Sequence, residues 1–405
     1  MSKLAIDGGP KVFQNPPSVP AWPPVYPETA EKLKEIYLSH HWSFYGPEEI
    51  RFNEKFAEYT GAKFCDMMAN GTVTLEVAMK AMGIGKGDEV IVPGETWLAT
   101  GEAVVYCGAT PVVVDIEPDT LCMDPEKMEA AITERTKAVI PVHIFGSMAD
   151  MDRITAIAKK HGLKVIEDCA HAHGGFWDGR HTGTIGDVGS FSFQESKILS
   201  SGEGGACITN DAELSETMGR LSHIGYQFGA KRGQKSTKPP MGLICHNYRV
   251  TDFQAAILLS QLEHLTEDNK LRERNAEFLR KRLDAIPGIR VQARGRRATL
   301  QSFYLFAFMV DSANLKEGIT RAKVAEAIVA EGSFWVGEGW GQPMYRQNLW
   351  TIPENMYRIA SSEVTERIIP NDLLVLPLQA LMAGQEDLEL FCQAVEKVMK
   401  AYYRG

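Results

Sequence analysis

Short apolar runs alternate with amphipathic segments through the first half of the chain. Four runs rich in β-branched residues predict buried strands, at residues 90–93, 110–115, 138–143 and 164–168. Between the last two runs, residues 151–161 have the apolar spacing of an amphipathic helix, which Gly162 ends. Strands and helices that alternate in this way predict a mainly parallel sheet with helices on both faces.

The pattern is different at the two ends of the chain. Prolines are concentrated in residues 8–27 and predict an extended segment. A strand at residues 206–211 is followed mainly by helical patterns, including a long helix over about Asp252–Leu283. Three further elements are predicted beyond that helix, at residues 290–291, 303–310 and 388–402.

These changes divide the chain into three parts. We predict an extended N-terminal arm over residues 1–27 and a large α/β domain over residues 28–260. A bridging helix and a small C-terminal α/β domain are predicted over residues 261–405. A chain of 405 residues with 44% hydrophobic residues is long enough for two or three domains.

Charge and cysteine usage exclude several classes of partner. The formal net charge of -9 argues against a nucleic-acid partner. The two basic stretches, residues 231–235 and 294–297, are short and predict solvated loops. No run of about 18 apolar residues predicts a membrane span. Seven scattered cysteines without a C-x-x-C pair, and an N-terminus unlike a signal peptide, predict a cytoplasmic protein.

Chemically distinctive residues occur where the predicted strands end. Asp168 closes one strand, Ser192 lies in the next one, and Lys197 follows shortly after it. Ligands of open α/β sheets bind at the carboxyl ends of the strands. Residues 70–72, Asn-Gly-Thr, precede a helical run, so their backbone N–H groups can hold an anion at a helix N-terminus.

Together these residues meet the requirements of pyridoxal phosphate. This cofactor needs a lysine for its aldehyde, a carboxylate that keeps the ring nitrogen protonated and a site for its phosphate. Lys197, Asp168 and residues 70–72 supply these groups, and Trp97 is the candidate for a flat side chain over the ring. No His-Glu-x-x-His or paired-cysteine spacing occurs, and no metal site is predicted.

The sequence resembles the sugar aminotransferases of the DegT/DnrJ/EryC1/StrS family over roughly residues 20–400. The resemblance implies the fold of the fold-type I pyridoxal-phosphate transferases: a mainly parallel seven-stranded sheet between helices, and a small α/β C-terminal domain. The motifs that carry it are Ala69-Asn70-Gly71-Thr72, Thr96-Trp97-Leu98-Ala99-Thr100, Pro141-Val142-His143-Ile144-Phe145-Gly146, Glu167-Asp168-Cys169-Ala170-His171-Ala172, Ser190-Phe191-Ser192-Phe193-Gln194-Glu195-Ser196-Lys197 and Asn247-Tyr248-Arg249-Val250-Thr251-Asp252.

The resemblance also implies a role for each matching residue. Lys197 would bind the cofactor aldehyde as a Schiff base and act as the general base, and Asp168 would pair with the pyridine nitrogen. His171, rather than His173, would bind the ring hydroxyl. The phosphate would be bound by Gly71, Thr72 and Ser192, together with Asn247 of a neighbouring subunit. A homodimer with shared active sites is therefore expected, and Arg249 is a candidate for the donor carboxylate.

The acceptor is less well defined. Many family members have histidine where this chain has Gln194, and the glutamine variant is similar to cyclitol (scyllo-inosose) aminotransferases and 3-amino-5-hydroxybenzoate synthase. Residues 342–346 depart from the Pro-Leu-His pattern of nucleotide-sugar enzymes. Keto-cyclitols, keto-sugars and Kdo-type acids stay open as acceptors, and glutamate and glutamine as donors. The candidate substrate contacts are Trp42, Tyr45, Gln194, Arg249, Tyr345 and Arg346.

Two other functions are compatible with a pyridoxal-phosphate fold. Some relatives are pyridoxal-phosphate sugar dehydratases, but these replace the lysine with histidine, and Lys197 is present. A regulatory protein that binds the cofactor or a sugar without turnover is the second alternative, and the presence of Lys197, Asp168 and Ser192 argues against it.

Overall fold

The computed structural model describes residues 3–231, 233–234 and 242–404. Arg232 and Lys235 of the basic stretch at residues 231–235 lie outside these ranges.

The strands are β1 Phe64–Met68, β2 Glu89–Pro93, β3 Thr110–Val114, β4 Thr136–Val139, β5 Lys164–Asp168, β6 Phe176–Trp177, β7 Arg180–His181, β8 Val188–Ser192, β9 Gly205–Thr209, β10 Ile289–Val291, β11 Ala298–Leu300, β12 Leu305–Val310, β13 Arg358–Ile359 and β14 Leu373–Pro377. The α-helices are α1 Pro27–Ser39, α2 Pro47–Thr60, α3 Gly71–Ala81, α4 Ala99–Tyr106, α5 Pro125–Ala130, α6 Met151–His161, α7 Ala212–Ser222, α8 Asp252–Leu283, α9 Arg321–Ala330, α10 Glu363–Ile368 and α11 Gln385–Tyr402.

The largest sheet has eight strands in the order β1-β9-β8-β5-β4-β2-β3-β13. All neighbours from β8 to β13 are parallel, whereas β9 runs antiparallel to both β1 and β8. The prediction of a mainly parallel α/β sheet is confirmed. The sheet has one strand more than the seven expected, because the two-residue strand β13 pairs with the edge of β3.

Valine and isoleucine fill the centre of this sheet because both of its faces are covered by helices. Every residue of β2 is buried, as are four of the five residues in each of β3 and β5. When both faces of a parallel sheet are covered, the sequence of each central strand is a nearly continuous run of apolar residues. The strand ends are therefore the places where polar side chains reach a cavity.

A second, antiparallel sheet of β10, β12 and β14 lies in the C-terminal part of the chain. Alternate residues of β12 face opposite sides of this sheet. Phe306 and Phe308 pack in a cluster with residues of α9 and α11, while Ala307 and Met309 pack with residues of the large-sheet region such as Phe145. The two parts of the chain thus share a buried contact.

Helix α8 connects these two parts. Its 32 residues give a length of about 48 Å at about 1.5 Å per residue, and a capping box of Thr251 and Gln254 begins it. Gln254 Nε2 donates to the backbone oxygen of Glu203 (2.7 Å), and Gln261 Oε1 accepts from the backbone N–H of Ser200 (3.0 Å). The helix therefore contacts the segment that follows Lys197.

None of the helices in the described part of the chain combines the length and the hydropathy needed to cross a bilayer.

Candidate active site

A cavity of about 980 Å³ opens at the carboxyl ends of β5 and β8 and at the N-terminus of α3. Its wall includes Thr100, Ser196, Tyr304 and Trp340, which the sequence did not indicate as site residues. Eight of the predicted site residues also line it: Gly71, Thr72, Trp97, Asp168, His171, Ser192, Gln194 and Lys197. The predicted cofactor residues are therefore brought together, with the exception of Asn247.

Asp168 lies at the inner end of the cavity, where β5 stops. Its Oδ2 accepts from the Thr100 hydroxyl at 2.9 Å, and its Oδ1 accepts from the backbone N–H of Ala170 at 3.1 Å. Burial raises the pKa of Asp168, although these hydrogen bonds and the Lys197 charge oppose the effect. A buried carboxylate of this kind is stabilised by a protonated nitrogen placed against it.

Lys197 is partly buried in the loop after β8. Burial lowers the pKa of its amine to about 8, although the Asp168 carboxylate opposes this shift. Its Nζ lies 4.3 Å from the centroid of the Tyr304 ring, and its backbone oxygen accepts from Trp22 Nε1 at 3.2 Å. An amine with a lowered pKa is a nucleophile for aldehydes near neutral pH.

The start of α3 lies very close to the end of β8. A Cβ placed on Gly71 would be 2.6 Å from the Ser192 Cβ, so only glycine fits there without a shift. Asn70 Oδ1 accepts from the backbone N–H groups of Thr72 and Val73, at 3.1 and 3.0 Å. The Thr72 amide is thus engaged by Asn70, which leaves the Gly71 amide and the Thr72 and Ser192 hydroxyls to bind an anion at this helix N-terminus.

His171 forms part of an aromatic wall. Its ring stacks on Tyr304 with centroids 4.3 Å apart and lies 5.6 Å from the Trp340 ring. Burial lowers the pKa of His171 well below its usual value, so the ring is neutral. Its Nδ1 accepts from the backbone N–H of Phe145 at 3.3 Å, which leaves Nε2–H for a ligand. His173 differs, because its Nε2 donates to the backbone oxygen of Ser192 at 2.9 Å.

Trp97 lies at the cavity mouth with 39% of its surface exposed. Its ring centroid is 6.0 Å from that of Trp340. Trp340 lies between two glycines with positive φ angles, Gly339 and Gly341. This glycine-rich run is the signal that could have indicated a loop able to approach a ligand.

Four predicted residues form a separate group. Trp42 and Tyr45 line a second cavity of about 580 Å³. Arg249 Cζ is 5.3 Å from the centroid of the Phe44 ring, and Asn247 is exposed. None of the four lines the large cavity within this chain, as far as the described residues show.

Tyr345 and Arg346 lie in neither cavity as described. Tyr345 is buried, and its hydroxyl donates to Glu366 Oε1 at 2.8 Å. Arg346 Nε is 2.8 Å from the same oxygen. Within this chain the two residues have packing and ion-pair partners of their own, and neither contributes to the wall of the large cavity.

One buried group has the composition of a metal site. Single ligand atoms of His143, Glu167 and Cys169 lie within 4.8 Å of one another. Glu167 is, however, already bonded to His143 Nε2 at 3.1 Å and to the backbone N–H groups of three loop residues, at 2.7 to 2.9 Å. His143 Nδ1 accepts from the Ala149 N–H at 3.2 Å. We interpret the group as a hydrogen-bonded support for the end of β5.

The pKa of Glu167 agrees with that interpretation. Burial alone would raise it, but the bonds from His143 and the backbone lower it overall. Glu167 is therefore ionised and bonded behind Asp168, and its position favours a structural role over a ligand role.

The geometry agrees with comparisons to known proteins. The sequence profile of the DegT/DnrJ/EryC1/StrS aminotransferase family matches residues 25–396. An L-glutamine:2-deoxy-scyllo-inosose aminotransferase of Streptoalloteichus tenebrarius is 38% identical over 426 aligned residues, which cover 98% of this chain and 97% of the relative. The enzyme with the same name from Streptomyces kanamyceticus is 37% identical, with 98% and 97% covered.

Solved structures of similar fold cover nearly the whole chain. The crystal structure of 3-amino-5-hydroxybenzoic acid synthase superposes with a TM-score of 0.84 at 29% identity, covering 96% of this chain and 100% of the other. An aminotransferase from Psychrobacter cryohalolentis gives a TM-score of 0.85 at 30% identity, with 95% and 99% covered.

Proposed function

The chain belongs to the DegT/DnrJ/EryC1/StrS aminotransferase family, and we propose that it transfers the amino group of L-glutamine to a keto-cyclitol. Family membership confirms the predicted aminotransferase activity and the predicted pyridoxal phosphate cofactor. The observation that carries the choice of acceptor is the charge of the cavity wall. Relatives named for L-glutamine and 2-deoxy-scyllo-inosose support the choice of both substrates.

The described residues fit the cofactor in three respects. Gly71 lies so close to Ser192 that a Cβ would not fit between them, and the Thr72 and Ser192 hydroxyls beside it are suited to a phosphate. Lys197 offers an amine of lowered pKa, and Asp168 offers a buried carboxylate. When bound, pyridoxal phosphate supplies an electron-poor ring that carries the amino group from donor to acceptor.

The residues of the chain have separate tasks in this reaction. Lys197 would bind the aldehyde and would move a proton at the reacting carbon, for which a pKa of about 8 is suitable. Asp168 keeps the ring nitrogen protonated, and its bond from Thr100 orients the carboxylate. His171 Nε2–H is the donor for the ring hydroxyl, and Trp97 is proposed to cover the ring.

The cavity wall favours an uncharged acceptor. Among its described residues, Lys197 is the one lysine or arginine, whereas Glu76, Asp168 and Glu203 are carboxylates. A nucleotide diphosphate or a Kdo-type acid needs cationic groups for its phosphates or carboxylate. The arginine that a shared site would add, Arg249 of the partner subunit, is the candidate for the donor carboxylate. A polyhydroxylated ring needs only hydrogen-bonding groups, so a keto-cyclitol fits this wall best.

We propose that the active protein is a homodimer with shared sites in the cytoplasm. Apolar side chains are exposed around Asn247 and Trp42, including Phe228 at 59% and Ile244 at 79% exposure. Exposed apolar patches of this kind are typical of interfaces. This surface would bring Asn247 and Arg249 to the cavity of the partner subunit, and seven free cysteines suit a reducing compartment.

A half-reaction screen tests the proposed substrates. The cofactor-loaded enzyme is mixed with L-glutamine or L-glutamate, and the loss of its visible absorbance is followed. The aminated enzyme is then offered scyllo-inosose, 2-deoxy-scyllo-inosose, a nucleotide-linked keto-sugar and a Kdo-type keto acid. We expect the inososes alone to restore the absorbance after L-glutamine; restoration by the nucleotide-linked sugar alone would refute the proposal.

A subunit-mixing experiment tests the shared site. Lys197→Ala and Asn247→Ala chains are each expected to be impaired, but mixed dimers contain one site with both wild-type residues. Recovery of turnover on mixing supports the dimer, whereas activity no higher than that of the separate variants contradicts it.

A further inference from the structure

The amide of Gln194 is held in one orientation at the cavity wall. Its Oε1 accepts from the backbone N–H of Ser196 at 2.9 Å and from the Ser196 hydroxyl at 2.7 Å. A backbone N–H can only donate, so the atom that faces it must be the amide oxygen. The two N–H donors of Gln194 are therefore directed away from Ser196.

A tyrosine fixes the direction of this hydrogen-bond chain. The Tyr304 hydroxyl is 2.9 Å from Ser196 Oγ. Ser196 has one hydroxyl hydrogen, and it must donate that hydrogen to the Gln194 oxygen, which has none. Tyr304 is then the donor to Ser196, and the chain runs from Tyr304 through Ser196 to Gln194.

The same tyrosine connects the chain to the reacting groups. The centroid of the Tyr304 ring lies 4.3 Å from Lys197 Nζ and 4.3 Å from the centroid of the His171 ring, on which it stacks. Gln194, Ser196 and Tyr304 all line the large cavity together with Lys197. The N–H donors of Gln194 thus belong to a wall whose charged groups are mainly carboxylates. A ligand with oxygen acceptors would form hydrogen bonds with these N–H donors.

We propose that the Tyr304–Ser196–Gln194 chain aims the Gln194 amide at a ring hydroxyl of the acceptor, so that Gln194 determines specificity for a polyhydroxylated ring. Ser196 and Tyr304 are positioning residues, because they act through Gln194. This inference rests on the proposed keto-cyclitol acceptor.

Two substitutions of Gln194 remove the donors in different ways. Gln194→Glu keeps an oxygen for Ser196 but replaces the N–H groups, and Gln194→Met removes them without adding charge. Loss of one or two hydrogen bonds should weaken binding of the non-reactive ring scyllo-inositol, measured by calorimetry on the cofactor-loaded enzyme, by about 10- to 100-fold. KM for the inosose should rise similarly.

The positioning role has its own signature. Tyr304→Phe keeps the ring against Lys197 but removes the donor, and should weaken scyllo-inositol binding by roughly 2- to 10-fold. Because Tyr304 acts through Gln194, the double variant Tyr304→Phe/Gln194→Met should bind no worse than Gln194→Met alone. If the double variant loses as much affinity for scyllo-inositol as the two single variants combined, Tyr304 does not act through Gln194 and the inference is wrong. Gln385→Glu, an exposed glutamine at the start of α11, is the matched control and should bind as the wild type does.

The outcomes separate the two hypotheses. If the wild type binds scyllo-inositol and aminates an inosose but both Gln194 variants do so equally well, this inference is wrong and the proposed function stands. If only the glutamate variant is impaired, its charge is the cause, and the inference is wrong. If the wild type neither binds the cyclitol nor aminates an inosose, the proposed function fails and the inference fails with it.

Discussion

Replacing Gly71 with alanine should disrupt cofactor binding more than it disrupts the fold. The added Cβ would lie 2.6 Å from the Ser192 Cβ and 3.1 Å from the Ser192 Oγ. Carbon atoms in ordinary contact are about 3.5 to 4.0 Å apart, so the start of α3 and the end of β8 must separate by about 1 Å.

That separation acts directly on the proposed phosphate site. A hydrogen bond of about 2.9 Å that lengthens by about 1 Å is no longer a hydrogen bond. Losing two bonds to a charged phosphate, at about 1.5 to 3 kcal/mol each, costs about 3 to 6 kcal/mol. The affinity for pyridoxal phosphate should therefore fall by roughly 10²- to 10⁴-fold.

A titration of the cofactor-free protein with pyridoxal phosphate, followed by fluorescence, measures this change. Thermal unfolding of the cofactor-free protein measures the effect of overpacking on the fold separately. We expect the free energy of unfolding to fall by about 1 to 3 kcal/mol. Gly85→Ala is the matched control, because its Cβ would lie at an ordinary 3.5 Å from the Cys107 oxygen. A Gly71→Ala protein that binds the cofactor within twofold of wild type would refute the reasoning.

Three further predictions concern the surroundings of the lysine. Asp168→Asn should lower turnover by roughly 10²- to 10³-fold in steady-state assays, and turnover within tenfold of wild type would contradict the role of its charge. Trp22→Phe removes a hydrogen bond to the Lys197 backbone oxygen and should lower the free energy of unfolding by about 1 kcal/mol. An unchanged midpoint of chemical unfolding would show that this hydrogen bond does not stabilise the fold. Because the pKa of Lys197 is lowered to about 8, its neutral, reactive form increases with pH up to about that value. The rate at which the cofactor-free protein reacts with an aldehyde should rise about tenfold per pH unit below pH 8 and then level off; a rate that still rises at pH 10 would exclude this pKa.

Much of the fold follows from local pattern. The bounds predicted for α8, Asp252–Leu283, and for the helix at residues 151–161 agree with the structure because caps and apolar spacing are local signals. The strand expected at residues 138–143 ends instead at Val139, and the segment beyond it contains Pro141. Strand β13 was not predicted, because two residues become a strand only when the edge of β3 is available to them.

Site residues could be predicted where the same segment of sequence contains both the residue and the strand that positions it. Asp168 ends a strand and Lys197 follows one, so their convergence follows from the topology of a parallel sheet. Tyr304 and Trp340 reach the cavity from more than 100 residues further along the chain. No periodicity encodes that approach, since it depends on how the C-terminal part packs on the large sheet.

The long helix α8 has a consequence for how this chain can change in length. Gln254 and Gln261 contact the segment after Lys197, and Asn269 Nδ2 donates to the His173 backbone oxygen at 2.8 Å. These positions are seven and eight residues apart, about two helical turns, so they share one face. Inserting one residue between them would turn every later position by about 100°. Evolutionary insertions are therefore expected in the surface loops of relatives and not inside this helix.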